Sequence, residues 1–370
     1  MERHFCWQIR ARGKKIFGAK HALAVSSGTA ALTIALMSTG IKKGDEVAIP
    51  GFTFAATPSA VILAGAKPVL IEIDENLNFD LKDLRQKCSG KMKAVIVVHM
   101  RGSASDIESV MEFAKSKNLV VIEDAVPVMG LKLKEKYLGT YGHFGAFSTQ
   151  SDKSCNTGEG GLLVTNDKDY FAKAIILSGA YESRWKKHFN SKPPKLNDCD
   201  FPIYSFRMDN LRGALAYSQL KKLKARIKKL SLNYKYVTGR LSRFPQIRLR
   251  LPIEQNSILG DELLFSLPGF SVEEVVLFSR ALSAEGIECS AFANPEKSNI
   301  RCFWHWGFLF PKKSIEWRKK VLPETSKYLG KYIDIPLSAT LSKNDLNDLI
   351  IAIKKVLGGF DITRKTKWKE

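Results

Sequence analysis

Through the first 165 residues, short apolar runs alternate with stretches of helical periodicity. Runs rich in Val, Ile, Leu and Phe lie at 21–25, 46–49, 69–71, 94–98, 120–122, 144–148 and 161–164. Between them apolar positions recur three and four residues apart. One such stretch is 29–38, opened by Ser27-Gly28; another is 105–115, where Ile107, Val110, Met111 and Ala114 fall on one face. Strand, helix, strand in succession is the form of βαβ units around a parallel sheet. Strands apolar at nearly every position need cover on both faces. The pattern predicts an α/β fold: a large domain with a mostly parallel seven-stranded sheet covered by helices, plus a smaller C-terminal α+β domain. From Met208 to about Gly239 the periodicity becomes one long helical run that bridges the two. The expected large domain spans 1–235 and includes this helix; the expected small domain spans 236–370 and ends in an amphipathic helix over 343–356 and a basic tail.

Composition narrows the class. The 370 residues are 45% hydrophobic and 26% charged, ordinary for a globular chain and unlike disordered or collagenous ones. No apolar run approaches the roughly 18 residues of a membrane span, and Met1-Glu2-Arg3-His4 lacks the apolar centre of a secretory signal. A soluble, cytoplasmic protein without a membrane partner is expected. Lys and Arg number 58 against 37 acids, a net charge of +21, and such a field attracts phosphorylated substrates, nucleic acid or anionic membrane. The excess is scattered in clusters such as Lys132/Lys134/Lys136, Lys186/Lys187 and Lys228/Lys229, with no block of five or six like charges, so a solvated surface explains it. The six cysteines stand far apart without C-x-x-C or clustered Cys/His spacing, so neither structural zinc nor a disulfide framework is expected, which suits a reducing cytosol. Near Arg301, Phe303-Trp304-His305-Trp306 is one aromatic cluster and not a basic stripe, so a core or cleft wall is expected and no nucleic-acid partner. Walker, G-x-G-x-x-G, H-E-x-x-H and G-x-S-x-G motifs are absent.

Chemistry concentrates in Phe147-Ser148-Thr149-Gln150-Ser151-Asp152-Lys153-Ser154-Cys155-Asn156-Thr157-Gly158-Glu159-Gly160-Gly161. Lys153 falls between a strand-ending serine and a glycine-rich return, beyond the carboxyl edge of the sheet, where open α/β sheets bind ligands. A lysine there can form a Schiff base; taken alone, it reads as a surface charge. Val121-Ile122-Glu123-Asp124-Ala125 puts an acid after an apolar strand. That acid can keep the ring nitrogen of pyridoxal phosphate (PLP) protonated, or be structural. Ser26-Ser27-Gly28-Thr29-Ala30-Ala31-Leu32 offers amides and hydroxyls at a helix N-terminus, a phosphate cradle or an ordinary cap. In Pro50-Gly51-Phe52-Thr53-Phe54-Ala55-Ala56-Thr57, an aromatic at a strand end can stack on a flat ring or fill the core.

Together these segments, in this order and spacing, resemble the DegT/StrS-type sugar aminotransferases, PLP enzymes of the aspartate-aminotransferase fold. The likeness runs through Tyr204-Ser205-Phe206-Arg207-Met208-Asp209-Asn210-Leu211 and covers about residues 17–357. It implies that Lys153 carries the Schiff base and shuttles a proton, that Asp124 pairs the pyridine nitrogen, and that Phe54 stacks on the ring. Gly28, Thr29, Ala30 and Ser148 would hold the phosphate, with Ser205 reaching it from the other subunit of a homodimer. A lysine at 153, where deoxysugar dehydratases of the family carry histidine, implies transamination from L-glutamate or L-glutamine to a keto sugar, nucleotide-linked in most of the family, for amino-sugar, polysaccharide or secondary-metabolite synthesis.

Three departures bear on this expectation. Pro127 stands where the family usually has Gln or His beside the ring hydroxyl, and proline has no side-chain donor. Ser205 replaces the family's asparagine. The chain begins close to the first strand, so the segment that normally helps close the dimer is expected to be largely missing. A catalytically weak PLP-binding relative with a regulatory or binding role is the alternative. For the acceptor, Arg101 in Val98-His99-Met100-Arg101-Gly102 is expected either to clamp a carboxylate or phosphate with its planar fork or to form a salt bridge with a nearby acid.

Overall fold

The computed structural model describes residues 11 and 13–367, with side chains to residue 361. The start of the chain and the last residues of the basic tail lie outside the described residues. Every one of the seven apolar runs is a strand of one sheet: β1 (His21–Val25), β2 (Glu46–Pro50), β3 (Lys67–Ile71), β4 (Met92–Val98), β5 (Val120–Asp124), and, after a small hairpin of β6 (Lys132–Leu133) and β7 (Lys136–Tyr137), β8 (Phe144–Ser148) and β9 (Gly161–Thr165). Their order is β1-β9-β8-β5-β4-β2-β3. Neighbours from β3 to β8 are parallel, and β9 runs antiparallel between β8 and β1.

Side-chain alternation explains why continuous apolar strands fit here. In β4, Ala94, Ile96 and Val98 enter one core with helices α1 (Gly28–Ser38) and α5 (Lys168–Gly179). Val95 and Val97 enter the other, with α4 (Ile107–Ser116) and part of the long helix α6 (Asn210–Leu241). Each such buried Val, Leu or Ile contributes about 1.5–3 kcal/mol. Helix starts follow local chemistry: Ser27, Asp106, Asp167 and Asp209 each accept an amide hydrogen of the first turn at their helix N-terminus.

Helix α6 runs from one core to another, placing Ala216, Leu220, Leu223 and Leu230 in the second core and Val237 and Leu241 in a third. That third core lies under an antiparallel sheet, β10-β11-β13-β12, of Arg248–Leu249, Glu262–Ser266, Tyr332–Pro336 and Ser290–Ala291. The last helix, Lys343–Lys367, extends well beyond the 343–356 expected from apolar periodicity. The aromatic cluster resolves as core: Phe303, Trp304 and Trp306 are buried and, with Phe292, Leu322 and Leu329, pack into the first core rather than the third.

Arg250 ties the two sheets together. Fully buried, it donates to Asn76 O and Met100 O (each 2.6 Å), Leu77 O (3.2 Å) and Asn78 Oδ1 (3.1 Å). Burial lowers its pKa to about 10, still well above neutrality. Arg250→Met removes four donors and strands their acceptors, so it should lower stability by about 3 kcal/mol or more, read as a shift in the urea midpoint at unchanged slope.

Candidate active site

A cavity of about 460 Å³ opens at the carboxyl ends of β4, β5 and β8 and the N-terminus of α1, lined by Gly28, Thr29, Phe54, Arg101, Asp124, Pro127, Ser148, Lys153 and Arg301, among others. Six segments distant in sequence therefore converge at the edge where open α/β sheets bind ligands.

At its base, Asp124 ends β5 and is 6% exposed. Thr57 Oγ1 donates to its Oδ2 at 3.1 Å and the Val126 N–H to its Oδ1 at 3.3 Å. Thr57 is itself held by Thr53 Oγ1 at 2.7 Å. Burial outweighs these contacts and raises the Asp124 pKa; Thr57, Val126, His99 and Lys153 pull the other way. A buried carboxyl in this state suits a cationic N–H partner.

Beneath it lies a fixed platform. Ser105 N–H donates to His99 Nδ1 (3.1 Å), which leaves the ring proton on Nε2 to donate to Glu123 Oε2 at 3.0 Å. Glu123 also accepts the amides of Gly139 (2.7 Å) and Gly142 (2.6 Å). The His99 N–H then donates to the Asp124 carbonyl at 3.2 Å, which fixes the backbone carrying the acid.

Lys153 stands on a clasped loop. Thr149 N–H donates to Gly160 O and Thr157 N–H to Thr149 O, each at 2.8 Å, and the two threonine hydroxyls meet at 2.6 Å. Arg226 of α6 donates to the Ser154 carbonyl. The lysine is close enough for its charge to act on Asp124, Asp261 and Glu262.

At the opposite end Ser27 Oγ accepts the Ala30 N–H at 3.0 Å, and the first amides of α1 have no intrahelical acceptor. Gly28 faces Ser148 so closely that a Cβ at 28 would lie 3.0 Å from the Ser148 Cβ. This leaves a cradle of backbone at a helix N-terminus, the form suited to phosphate. Ala30, also expected here, is buried away from the cavity with its amide committed to Ser27. Phe54 is 46% exposed and lines the cavity while Phe52 fills the core, so of the segment's two aromatics Phe54 is the one placed to meet a ligand. Pro127 lines the cavity and presents no donor there.

Ser205 is exposed and outside its own chain's cavity. For Arg101 the ion-pair alternative is what the structure contains: Nη1 donates to Glu262 Oε1 at 2.5 Å and Nη2 to Asp334 Oδ2. Both tips of its fork are engaged, so it presents no free fork to an anion. Sequence reasoning missed Arg301, Asp261, Glu262 and the Thr57 contact. Arg301 reaches the cavity because Thr53 N–H donates to its carbonyl at 3.0 Å, and its guanidinium carbon lies 5.9 Å from the Phe54 ring centre. Such a non-local pairing leaves no motif in the sequence.

The residues present fit PLP: an open ring face at Phe54, a buried acid, a helix-end cradle and a lysine share one cavity. Comparison with known proteins agrees. The model of the DegT/DnrJ/EryC1/StrS aminotransferase family matches residues 10–354. The spore coat polysaccharide biosynthesis protein SpsC of Bacillus subtilis (strain 168) is 30% identical over 349 residues, 93% of this chain and 87% of that protein. GDP-perosamine synthase of Escherichia coli O157:H7 is 37% identical over 203 residues, 55% of this chain, and the chain spans about half (53%) of that relative's length. The fold matches an aminotransferase from Psychrobacter cryohalolentis at a TM-score of 0.81 (23% identity, 96% and 91% of the two chains). It also matches the PLP form of Spr1654 from Streptococcus pneumoniae at 0.81 (20% identity, 96% and 91%).

The raised pKa of Asp124 has a consequence for the apoprotein. An acid whose pKa is higher folded than unfolded favours the fold most when protonated, and that contribution is lost as pH rises through the interval between the two values. Asp124→Asn should therefore raise the Tm of the PLP-free protein near neutrality, with a gain that shrinks as the pH is lowered and Asp124 protonates. Melting both apoproteins across a pH series checks this.

Proposed function

The chain belongs to the DegT/DnrJ/EryC1/StrS aminotransferase family, and we propose that it is a PLP-dependent aminotransferase that moves the amino group of L-glutamate or L-glutamine to a nucleotide-linked keto sugar. The observation that carries this reading is the convergence of Lys153, Asp124 and the open face of Phe54 on one cavity with the N-terminus of α1. The names of the relatives, GDP-perosamine synthase and a spore coat polysaccharide biosynthesis protein, support a product destined for an amino-sugar polysaccharide.

PLP, when bound, supplies an electron sink for charge that develops at the substrate carbon. Asp124 holds a proton on the pyridine nitrogen; Thr57, Val126 and the Glu123–His99 platform keep the carboxyl aimed. Gly28, Thr29 and Ser148 bind the phosphate through backbone amides and hydroxyls, and Phe54 covers one ring face. Lys153 Nζ would hold the cofactor and would be the group that moves the proton at the substrate carbon. In a homodimer, Ser205 adds a hydroxyl to the phosphate of the partner site. The exposed Ile203, Leu211 and Leu215 around it suit burial against a second copy. The enzyme acts in the cytoplasm, where amino acid and nucleotide sugar are both at hand.

Pro127 favours a second reading, a weak PLP-binding relative with a regulatory role, because its side chain gives no hydrogen bond beside the ring. Mixing the purified protein with PLP and then L-glutamate separates the two. The first reading predicts a visible absorption that glutamate removes and a keto sugar restores; the second predicts an absorption that glutamate leaves in place. Lys153→Ala should fold, with a Tm near that of the wild type, yet lose both the absorption and turnover; more than a trace of single-turnover activity would reassign the nucleophile. Sedimentation should give twice the 41.4 kDa chain mass, and Ser205→Asn should bind PLP modestly more tightly.

A further inference from the structure

Among the described residues, two arginines line the cavity, Arg101 and Arg301, and their forks differ. Arg101 is gripped by Glu262 and Asp334. The Arg301 guanidinium makes no hydrogen bond or ion pair among the described residues, although it stands in the same cavity as Phe54 and Lys153. Its backbone, by contrast, is held firmly. Thr53 N–H donates to the Arg301 carbonyl and Phe303 N–H to Gly51 O, each at 3.0 Å, and Phe52 and Cys302 form an antiparallel bridge between them. The Arg301 N–H donates to Asn299 Oδ1 at 3.1 Å. Residue 301 is therefore fixed against the segment that carries Phe54. Its guanidinium carbon lies 5.9 Å from the Phe54 ring centre, an attraction to ring electrons that uses none of the N–H donors. A fork placed by this much backbone, with its donors unspent, is free to meet a ligand.

Its place in the cavity points to the chemistry of that ligand. Arg101, Arg301 and Lys153 each favour the charge on Glu262, and Arg301 disfavours the charge on Arg101. Three cations therefore gather around one carboxylate whose Oε1 is already spent on Arg101, and an incoming anion relieves the crowding. The helix-end cradle at Gly28 and Ser148 already suits a phosphate. At the lysine end, the anion must lie close to the carbon that Lys153 serves. The α-carboxylate of an amino acid is bonded directly to that carbon, whereas the phosphate of a nucleotide-linked sugar stands across the sugar ring from it. A planar carboxylate also matches the planar fork through two parallel hydrogen bonds.

We propose that Arg301 binds the α-carboxylate of the amino-acid donor at the lysine end of the cavity. The proposal rests on the aminotransferase reading and names the residue that selects an amino acid over a plain amine. It also gives to Arg301 the anion-clamping role that Arg101, with both tips engaged, does not fill.

Two amines that differ only in the group at issue test it: 2-aminoisobutyrate, and tert-butylamine, in which a methyl replaces the carboxylate. Neither has a proton to lose at the amine-bearing carbon, so binding is read apart from proton transfer. Calorimetric titration of PLP-loaded protein should show the wild type binding 2-aminoisobutyrate at least tenfold more tightly, a preference of about 1.4 kcal/mol or more. Arg301→Met should reduce the preference to within about threefold while leaving tert-butylamine affinity within about twofold, the tolerance expected where no contact is lost. Arg301→Lys keeps the charge without the fork and should lose about threefold or more of the preference; it carries the test alone if the methionine variant fails to fold. GDP, a phosphate probe titrated onto the same proteins, should bind each within about twofold. A wild type without preference for the amino acid, an undiminished preference in either variant, or a loss confined to GDP would overturn the proposal. The aminotransferase reading is judged separately, by whether L-glutamate removes the visible absorption of the wild type, so either can fail without the other.

Discussion

A carboxyl group kept out of water at the end of a strand buried on both faces is the constraint on which the rest of this structure depends. Desolvation disfavours the charge on Asp124, and that is useful only if a cation arrives to pair with it. Its surroundings therefore exist to hold the acid still without neutralising it. Thr57 and the Val126 amide give it modest hydrogen bonds. Glu123, the preceding residue, points to the other side and locks His99 and two loop amides. Alternation along one strand thus assigns adjacent acids to opposite tasks, one facing the ligand and one facing the scaffold.

Around this point the chain builds rigidity from long-range polar contacts more than from local ones. Arg250 and Arg101, both from or reaching the antiparallel sheet, fix the loops after β3 and β4. The loop of Lys153 is clasped by paired threonines and by Arg226 from the long helix. Arg101 holds a left-handed backbone (φ 54°), a conformation most side chains avoid, and the two carboxylates that grip its tips compensate for it. Helix ends and loops placed with this precision can present a lysine and an acid to opposite parts of one flat ring.

Much of this was legible in the sequence because it is periodic or local. All seven strands of the large sheet follow from apolar runs, and helices α1 and α6 from caps and spacing. That Lys153, Asp124, Gly28, Thr29, Phe54 and Ser148 line one cavity was legible because each lies at, or a few residues beyond, the end of a strand or the start of a helix on the same edge of the sheet. What was not legible depends on contacts between distant segments. The choice between Phe52 and Phe54 rests on packing by Phe292, 238 residues and more from both. The pairing of Arg101 with Glu262 and Asp334 spans 161 and 233 residues. Trp304 and Trp306 read as a C-terminal feature but fold back onto the first sheet. At the start of α1 the Ala30 amide is held by the Ser27 hydroxyl, the ordinary cap that the sequence offered beside the phosphate cradle.

The account stands or falls on whether the Asp124 carboxyl keeps a bound pyridine nitrogen protonated. The direct measurement is the nitrogen-15 chemical shift of PLP labelled at the ring nitrogen and bound to the wild-type protein, followed as the pH is raised above the point where free PLP loses that proton. The account predicts the shift of a protonated ring that persists in the bound state and is lost in Asp124→Ala. A neutral-ring shift in the wild type, or one indifferent to the substitution, would contradict it.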